Sequence, residues 1–291
     1  MAEWEGKSKG TPLGYKIFIF IINKIGTSAA YLLLYPVVAY YLVFSTHSNR
    51  AIKDYFSRLK AFSQKDIRTS LFRTYYNMGQ ALIDKIAIIS DSEPKFDIHR
   101  EGMANLKAMD AQKTGGFLIG AHMGNWEIAG HLMKLYTTPV NIVLLDGEEE
   151  QIKNVMDNAM GARHFKTIPI KEDMSHIFKI HEAARNKEFI CIHGDRFLPG
   201  SKSLEASFLG SPADFPAGPF VMASKLGLPV SFVYGMKESS TQYHFYCTKP
   251  ILEATSKSEI LKSYIHQLEE MVTRYPNQWF NFYPFWKSDK K

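Results

Sequence analysis

The sequence predicts an α/β protein: a single domain with a mostly parallel, mixed sheet flanked by helices, preceded by an N-terminal membrane-associated helical segment. Two observations lead to this prediction. From residue 117 onwards, short apolar runs alternate with longer amphipathic ones, a rhythm typical of βαβ units. Near the N-terminus, residues 25–44 carry no charge and are long enough to cross a bilayer.

Composition and a mean hydropathy of -0.19 support a folded globular protein rather than a multi-span membrane protein. The chain has 291 residues, of which 45% are apolar and 13% aromatic, enough for a sizeable core. Its 35 basic and 29 acidic residues give a net charge of +6, which favours anionic partners such as headgroups or an acidic carrier protein. A soluble protein kept apart by its charge fits this number equally well. Cys191 and Cys247 lie in apolar runs and are predicted to be reduced core residues.

The uncharged N-terminal stretch predicts membrane attachment. Pro36 interrupts it, and Tyr31, Tyr35, Tyr40 and Tyr41 belong to a residue type that prefers the membrane interface. A single tilted span and a bent helical pair lying in the interface both fit, while a core helix of a soluble protein is the alternative. We therefore expect an anchor over residues 1–50 and a catalytic domain over residues 51–291. A dense group of basic residues follows this stretch: Arg50, Lys53, Arg58 and Lys60. They favour a catalytic domain that lies on the cytoplasmic face of the inner membrane.

The body of the chain is predicted to alternate strands and helices after one long helix over residues 58–90. The predicted strands are 117–121, 140–145, 167–170, 189–193, 230–235 and 244–248. The predicted helices are 125–136, 148–160, 175–186, 217–226 and 258–275.

The run Gly-Ala-His-Met-Gly-Asn-Trp-Glu, residues 120–127, carries the chemistry. It lies where a strand ends and a helix begins, the place where α/β folds hold catalytic groups. Glu127 comes five positions after His122, so a carboxylate in the first helical turn can fix the imidazole tautomer and raise its basicity. The other ring nitrogen then takes a proton from a hydroxyl or amine that attacks a thioester. Amides at the start of the helix are expected to stabilise the oxyanion.

His122-Met-Gly-Asn-Trp-Glu127 resembles the H-x4-[D/E] signature of the lipid A biosynthesis (lauroyl/myristoyl) acyltransferases, relatives of the glycerolipid acyltransferases. The resemblance covers most of the chain and ends at Pro276-Asn-Gln-Trp279, which is similar to the family's closing motif. It implies that His122 is the catalytic base and Glu127 its partner. It also implies a fatty acyl chain as the transferred group and a membrane lipid as the acceptor.

Further residues are predicted to contact substrate. Gly194-Asp195-Arg196 resembles a family block whose aspartate lies close to the active site, and the run from Phe208 through Gly210 resembles the family's Phe-Gly block. Arginine side chains suit an acceptor phosphate or carboxylate, although ordinary surface ion pairs explain them equally well. The predicted substrate-binding residues are Asn125, Arg163, Asp195, Arg196 and Gly210.

The resemblance leaves the substrates partly open. The donor it implies is an acyl carrier protein thioester, with acyl-CoA as the alternative, and no cofactor or metal is expected. A lipid A precursor is the first acceptor. The Phe-Pro-Glu-Gly phosphate motif of the glycerolipid enzymes is absent, and aromatic residues replace the usual basic tail after Trp279. An aminolipid or a lysophospholipid is therefore an alternative acceptor.

Other classes of protein make different predictions. A metal-dependent hydrolase would use ligands among His122, Glu127, His164, His193 and Asp195, although no helical histidine pair with zinc spacing occurs. A non-catalytic lipid-binding protein would keep the same fold without the reaction. A serine hydrolase is disfavoured because no G-x-S-x-G elbow is present. Nucleic acid is disfavoured as a partner because the basic residues are spread along the chain.

Overall fold

A computed structural model describes residues 12–89, 96–126, 136–145, 165–171, 173–196, 200–252 and 256–287. In the described residues the helices are α1 Pro12–Lys24, α2 Thr27–Phe44, α3 Thr46–Arg58, α4 Gln64–Ile89, α5 Met103–Gln112, α6 Ser175–Arg185, α7 Ala217–Leu226 and α8 Lys257–Arg274, followed by a 3-10 turn, Pro276–Gln278. The strands are β1 Asp97–Glu101, β2 Gly116–Gly120, β3 Val140–Leu145, β4 Lys166–Ile170, β5 Phe189–His193, β6 Ser203–Phe208, β7 Ser211–Pro216, β8 Val230–Lys237 and β9 Gln242–Cys247.

Seven strands form one mixed sheet in the order β1-β9-β8-β2-β5-β3-β4. Every neighbouring pair is parallel except β8 and β9. The central strand β2 is fully buried and pairs with β5 in a register that sets Gly120 opposite His193. Because parallel strands end at the same edge, the loops that follow β2 and β5 meet there. The predicted α/β class with a mostly parallel, mixed sheet is confirmed.

The elements that the sequence predicted are recovered wherever the structure describes them, with one correction. The helix predicted over residues 58–90 is α4, which begins only at Gln64, and the separate helix α3, which ends at Arg58, was not predicted. Ser63 and Asp66 explain the break: the Ser63 amide donates to the Asp66 carboxylate at 3.0 Å, and the Asp66 amide donates to Ser63 Oγ at 3.4 Å. Reciprocal bonds of this kind start a helix. The predicted helix over residues 148–160 and most of that over 125–136 lie outside the described residues.

Three strands were not predicted, and each lacks a continuous apolar run. β1 is an edge strand with mostly exposed side chains. β6 and β7 form a separate antiparallel hairpin whose β7 strand contains two prolines. Prolines of this kind are confined to edges and bulges, so they weaken a strand prediction.

The uncharged stretch over residues 25–44 forms α2, and a turn at Gly26, whose φ is 106°, separates it from the preceding helix α1. In the part of the chain that the structure describes, α2 alone is long and apolar enough to cross a membrane, a test that core helices also pass. One face of α2 is buried and includes Ala30, Tyr31, Leu34 and Val38. The expected boundary at residue 50 lies within α3, and the division into anchor and catalytic domain stays a prediction.

The two cysteines are free thiols, as predicted. Cys247 is buried at the end of β9, and Cys191 is half-buried in β5. Burial raises the pKa of each thiol to about 12, so both are protonated and unreactive at neutral pH.

Candidate active site

The site lies at the carboxyl ends of β2 and β5. His122 follows β2 by two residues, and Asp195 follows β5 by two residues. The register between the strands carries the two loops to the same place, although 73 positions separate the residues in sequence. Open α/β sheets bind their ligands at this edge.

Asp195 is the carboxylate that contacts His122 in the described residues. Its Oδ1 lies 2.8 Å from Nδ1 of His122, and its Oδ2 accepts the His122 backbone amide at 3.0 Å. The same Oδ2 accepts the indole N–H of Trp279 at 3.1 Å, and Tyr283 donates its hydroxyl to the Asp195 carbonyl at 3.0 Å. With a side chain only 1% exposed, Asp195 is held rigidly against the imidazole.

Glu127, the predicted partner of His122, lies outside the described residues, so its role stays a prediction. Asp195 was expected to bind substrate. In the structure both of its carboxylate oxygens are engaged by protein donors, so its geometry is that of a group that orients His122. The sequence pointed to the aspartate through the Gly-Asp-Arg block, but the contact with His122 depends on strand register.

The charges around His122 favour a neutral imidazole facing an ionised carboxylate. Burial alone would raise the pKa of Asp195, but His122 and Arg196 outweigh it and hold that pKa well below its usual range. Burial and then Arg196 lower the pKa of His122, with Asp195 acting in the opposite direction. The ionised carboxylate therefore fixes the proton on Nδ1, and Nε2 is the nitrogen with a lone pair.

A second imidazole faces that nitrogen. Nδ1 of His193 lies 3.4 Å from Nε2 of His122, with the two rings edge to face and their centroids 4.3 Å apart. The ring of Trp126 also meets the His193 ring edge to face, at a centroid distance of 5.1 Å. Burial and then His122 lower the pKa of His193 to about 3, which keeps it neutral. As predicted, His193 ends a strand.

The loop that carries His122 is fixed by backbone hydrogen bonds. Residues 123–125 all donate their amides to carbonyls, those of Ala121, Gln278 and Gly235, at 2.7, 2.8 and 2.7 Å. A Cβ at Gly124, whose φ is 62°, would lie 2.2 Å from the Gly235 carbonyl, so only glycine fits there. These amides are already satisfied. They are therefore not available to an oxyanion, and the expected role of the helix start stays a prediction.

The remaining predicted site residues have different surroundings. Asn125 is buried, and its side-chain amide donates to the Ala81 carbonyl of α4 at 2.9 Å. Arg196 donates to the Phe280 carbonyl and lies near the ring of Tyr283. Gly210 occupies the exposed turn of the β6–β7 hairpin with a φ of 77°, a backbone reason for glycine. Arg163 lies outside the described residues, and substrate contact by any of the four stays a prediction.

Sequence reasoning did not find the part played by the C-terminal segment. Trp279 bonds Asp195, and the Phe280 amide donates to the His122 carbonyl at 2.9 Å. Gln278 bonds both the backbone amide and the carbonyl of Lys237 in β8, at 2.9 and 2.7 Å. The closing motif was recognised only as a resemblance, and its contacts place residues 278–280 against the loop that carries His122.

Three side chains of the site also form a candidate cation site. One ligand atom each from His122, His193 and Asp195 lies within 4.8 Å of the others. Asp195 already accepts three protein hydrogen bonds, so a cation would compete with the donors that hold this carboxylate against His122. The arrangement fits proton transfer better. Glu127 and His164, the other residues of the hydrolase alternative, lie outside the described residues.

A parallel α/β sheet with a histidine and a buried carboxylate at the ends of its central strands defines an enzyme class in which histidine activates a nucleophile. The family model for bacterial lipid A biosynthesis acyltransferases matches residues 13–288. The chain therefore belongs to the bacterial lipid A biosynthesis acyltransferase family.

More distant similarities accompany the family match. Phosphatidylinositol mannoside acyltransferases from two strains of Mycobacterium tuberculosis are 24% identical over 197 residues. The matched stretch covers 65% of this chain and only 60% of those relatives. The crystal structure of a 1-acyl-sn-glycerophosphate acyltransferase from Thermotoga maritima aligns with a TM-score of 0.40 and 14% identity, over 92% of this chain and 97% of that one. Membership rests on the family match.

Proposed function

We propose that this chain is a lipid acyltransferase that moves a fatty acyl chain from an acyl carrier protein thioester to a hydroxyl or amine of a membrane lipid. Acyl-CoA is the alternative donor. The observation that carries the proposal is the imidazole of His122, oriented by a buried, ionised Asp195 at the catalytic edge of the sheet. Family membership supports a fatty acyl chain as the transferred group and a lipid A precursor as the first acceptor.

The proposed reaction needs no covalent enzyme intermediate. Nε2 of His122 takes the proton from the acceptor as its oxygen or nitrogen attacks the thioester carbonyl. The tetrahedral intermediate then collapses, the carbon–sulfur bond breaks, and the thiolate takes the proton back from His122. Asp195 stabilises the imidazolium that exists between these two transfers. General base catalysis of this kind contributes roughly 10²–10⁴-fold to the rate.

The N-terminal helices are proposed to rest in the membrane interface as a bent pair. α2 buries Tyr31 against the protein, where the tyrosine hydroxyl contacts the charged pair Asp84 and Lys237. A spanning α2 would bring this charged pair towards the hydrocarbon, where charges are costly. The outward face carries exposed apolar side chains that suit an interface: Leu32, Tyr35, Tyr40, Val43 and Phe44. The proposed location is the cytoplasmic face of the inner membrane.

Other acceptors remain as alternatives with their own support. The mycobacterial relatives are named for a mannosylated phosphatidylinositol, which favours a glycolipid acceptor in general. An aminolipid or a lysophospholipid would use the same base. A lipid-binding protein without activity has no need of a buried carboxylate held by three donors against a histidine.

Lipid mass spectrometry of the native cells tests the proposal. Cells whose only copy is His122→Ala are compared with cells carrying His266→Ala, a control at an exposed histidine on α8. We expect the first variant to lose one acyl chain from a single lipid class and the control to keep it. An unchanged lipidome in cells with normal levels of the His122→Ala protein would overturn the proposed function.

A further inference from the structure

We propose that His193 is a second catalytic residue, which holds the acceptor oxygen by donating a hydrogen bond from its Nδ1–H and so selects a hydroxyl over an amine. This inference rests on the proposed function and adds the class of nucleophile to it. The geometry that leads to it is the approach of the His193 ring to the nitrogen of His122 that takes the proton.

His193 is placed by the sheet and by its neighbours. It is the last residue of β5 and lies opposite Gly120 in the register of the central strands. The His122 ring and the Trp126 ring both meet its ring nearly edge to face, with centroids 4.3 and 5.1 Å away and interplanar angles of 75° and 90°. Its Nδ1 lies 3.4 Å from Nε2 of His122.

The hydrogen-bond network decides which nitrogens carry protons. Asp195 takes the Nδ1–H of His122, so Nε2 of His122 presents a lone pair to His193. If Nδ1 of His193 also lacked a proton, two lone pairs would face each other at 3.4 Å. The proton of neutral His193 therefore lies on Nδ1, and this ring donates towards the base.

The charges that face His193 keep it neutral throughout the reaction. His122 and Arg196 oppose a positive charge on it, while Asp195 favours one, and burial outweighs Asp195. A neutral His193 donates one hydrogen bond without competing for the proton that His122 takes. It therefore acts on the acceptor rather than as a second base.

The separation of the two nitrogens fits a bridging oxygen. At 3.4 Å, an N–H···N contact is longer than the usual 2.7–3.2 Å, whereas one oxygen can lie about 2.8 Å from both atoms. An acceptor hydroxyl placed there donates its proton to His122, accepts from His193, and keeps a second lone pair for attack on the thioester carbonyl. A neutral amine has a single lone pair, which the same hydrogen bond would occupy.

Two acceptors that differ by one atom test the selection. The probes are a 1-acyl lysophospholipid with a free 2-hydroxyl and its 2-amino-2-deoxy analogue, in mixed micelles with dodecanoyl acyl carrier protein. His193→Phe keeps the ring volume and removes the donor, and His193→Asn keeps a donor near the position of Nδ1. We expect His193→Phe to reduce kcat/KM for the hydroxyl about 10²-fold and to raise it for the amine, whose lone pair is then no longer engaged. We expect His193→Asn to restore most of the rate.

The ratio of kcat/KM for the hydroxyl to that for the amine distinguishes hydrogen bonding by His193 from a purely structural role. A variant that merely damaged the fold would slow both acceptors alike, and that result would overturn the proposal. A wild-type preference for the amine would overturn it as well.

A tautomer measurement is independent of activity. In ¹⁵N-histidine-labelled wild-type protein, with the signals assigned by their loss in His193→Phe, we expect His193 to carry its proton on Nδ1. A proton on Nε2 would overturn the proposal even if acyl transfer is found. If neither lipid is acylated, the proposed function fails for lysophospholipids, and the tautomer still decides whether His193 can donate to an oxygen.

Discussion

At the scale of single residues, Trp279 limits the freedom of the carboxylate that contacts His122. Its indole N–H bonds Oδ2 of Asp195, and its ring is buried against Tyr55, Phe208 and Phe285. An aromatic core therefore sets the direction of this carboxylate. Because the indole reaches the carboxylate from the C-terminal segment, packing at the end of the chain is coupled to the orientation of His122.

Replacement of Trp279 by Phe separates the hydrogen bond from the packing. We expect a loss of about 1.5–3 kcal/mol in the free energy of unfolding, typical of a bond to a charged group, and a severalfold fall in kcat. Trp286→Phe is the matched control, because its indole donates to the Phe208 carbonyl at 2.9 Å. Denaturant unfolding and steady-state kinetics measure both effects. Equal kinetic losses in the two variants would contradict a specific role for Trp279.

Arg196 is expected to influence the pH range of the proposed reaction. Burial and Arg196 hold the pKa of His122, the proposed base, below 6.5, so we expect wild-type kcat/KM to persist below pH 6.5 and to fall at lower pH. Removing the positive charge in Arg196→Gln raises this pKa and moves the acidic limb of the pH–rate profile to higher pH. Arg274→Gln, whose guanidinium lies over Tyr246 and Tyr275, serves as the control. An unmoved acidic limb in Arg196→Gln would show that its charge does not act on His122.

At the scale of elements, secondary structure is predicted best where the residue pattern within one element is sufficient to determine its structure. Apolar runs such as those of β2 and β5 were found, because continuous burial leaves a clear pattern. The exposed edge strand β1 and the proline-containing hairpin leave no such pattern. His122 could be chosen from its place between a strand and a helix. The contact between His122 and Asp195 could not be predicted, because it depends on which strands are neighbours in the sheet.

The outward face of the N-terminal helices makes an element-scale prediction. Leu32 and Phe44 are 70% and 67% exposed, and Phe178 and Leu252, outside these helices, are 78% and 67% exposed. If α2 lies in the interface, each apolar side chain contributes about 1.5–3 kcal/mol to membrane binding. Leu32→Ser with Phe44→Ser should therefore reduce vesicle binding at least about tenfold.

Phe178→Ser with Leu252→Ser is the matched control for that experiment, and it should bind vesicles as the wild type does. Flotation with anionic vesicles gives the bound fraction. Equal losses in the two double variants would mean that binding is unrelated to α2. Deleting residues 1–44 is a poorer test, because it also removes Tyr31 from its contact with Asp84.

At the scale of the whole molecule, a buried polar cluster joins the N-terminal helices to the sheet. Asp84 of α4 is fully buried and contacts Tyr31 of α2, Lys237 of β8 and Tyr243 of β9. Residues from four elements thus meet at one carboxylate. The backbone amide of Lys237 also donates to the Gln278 side chain, and the Gln278 carbonyl accepts the Gly124 amide. Gln278 therefore connects the cluster to the loop that carries His122.

Removing the charge of Lys237 should destabilise the entire fold. Lys237→Met leaves Asp84 buried without its cation, which typically costs about 3–5 kcal/mol in the free energy of unfolding. Lys262→Met, at an exposed position on α8, should change it by less than about 0.5 kcal/mol. Denaturant unfolding in detergent measures both. A loss for Lys237→Met no larger than that of the control would contradict the role of the cluster.

The central claim is that His122 acts as a base because Asp195 orients it, and replacement of that carboxylate tests it most directly. The measurement is single-turnover acyl transfer from dodecanoyl acyl carrier protein to acceptor lipids in membranes from cells that lack the protein. Asp195→Asn removes the charge and keeps the shape, and by comparison with serine protease triads its rate should fall by up to about 10⁴-fold. Folded Asp195→Asn protein that transfers the acyl chain at the wild-type rate would contradict the claim.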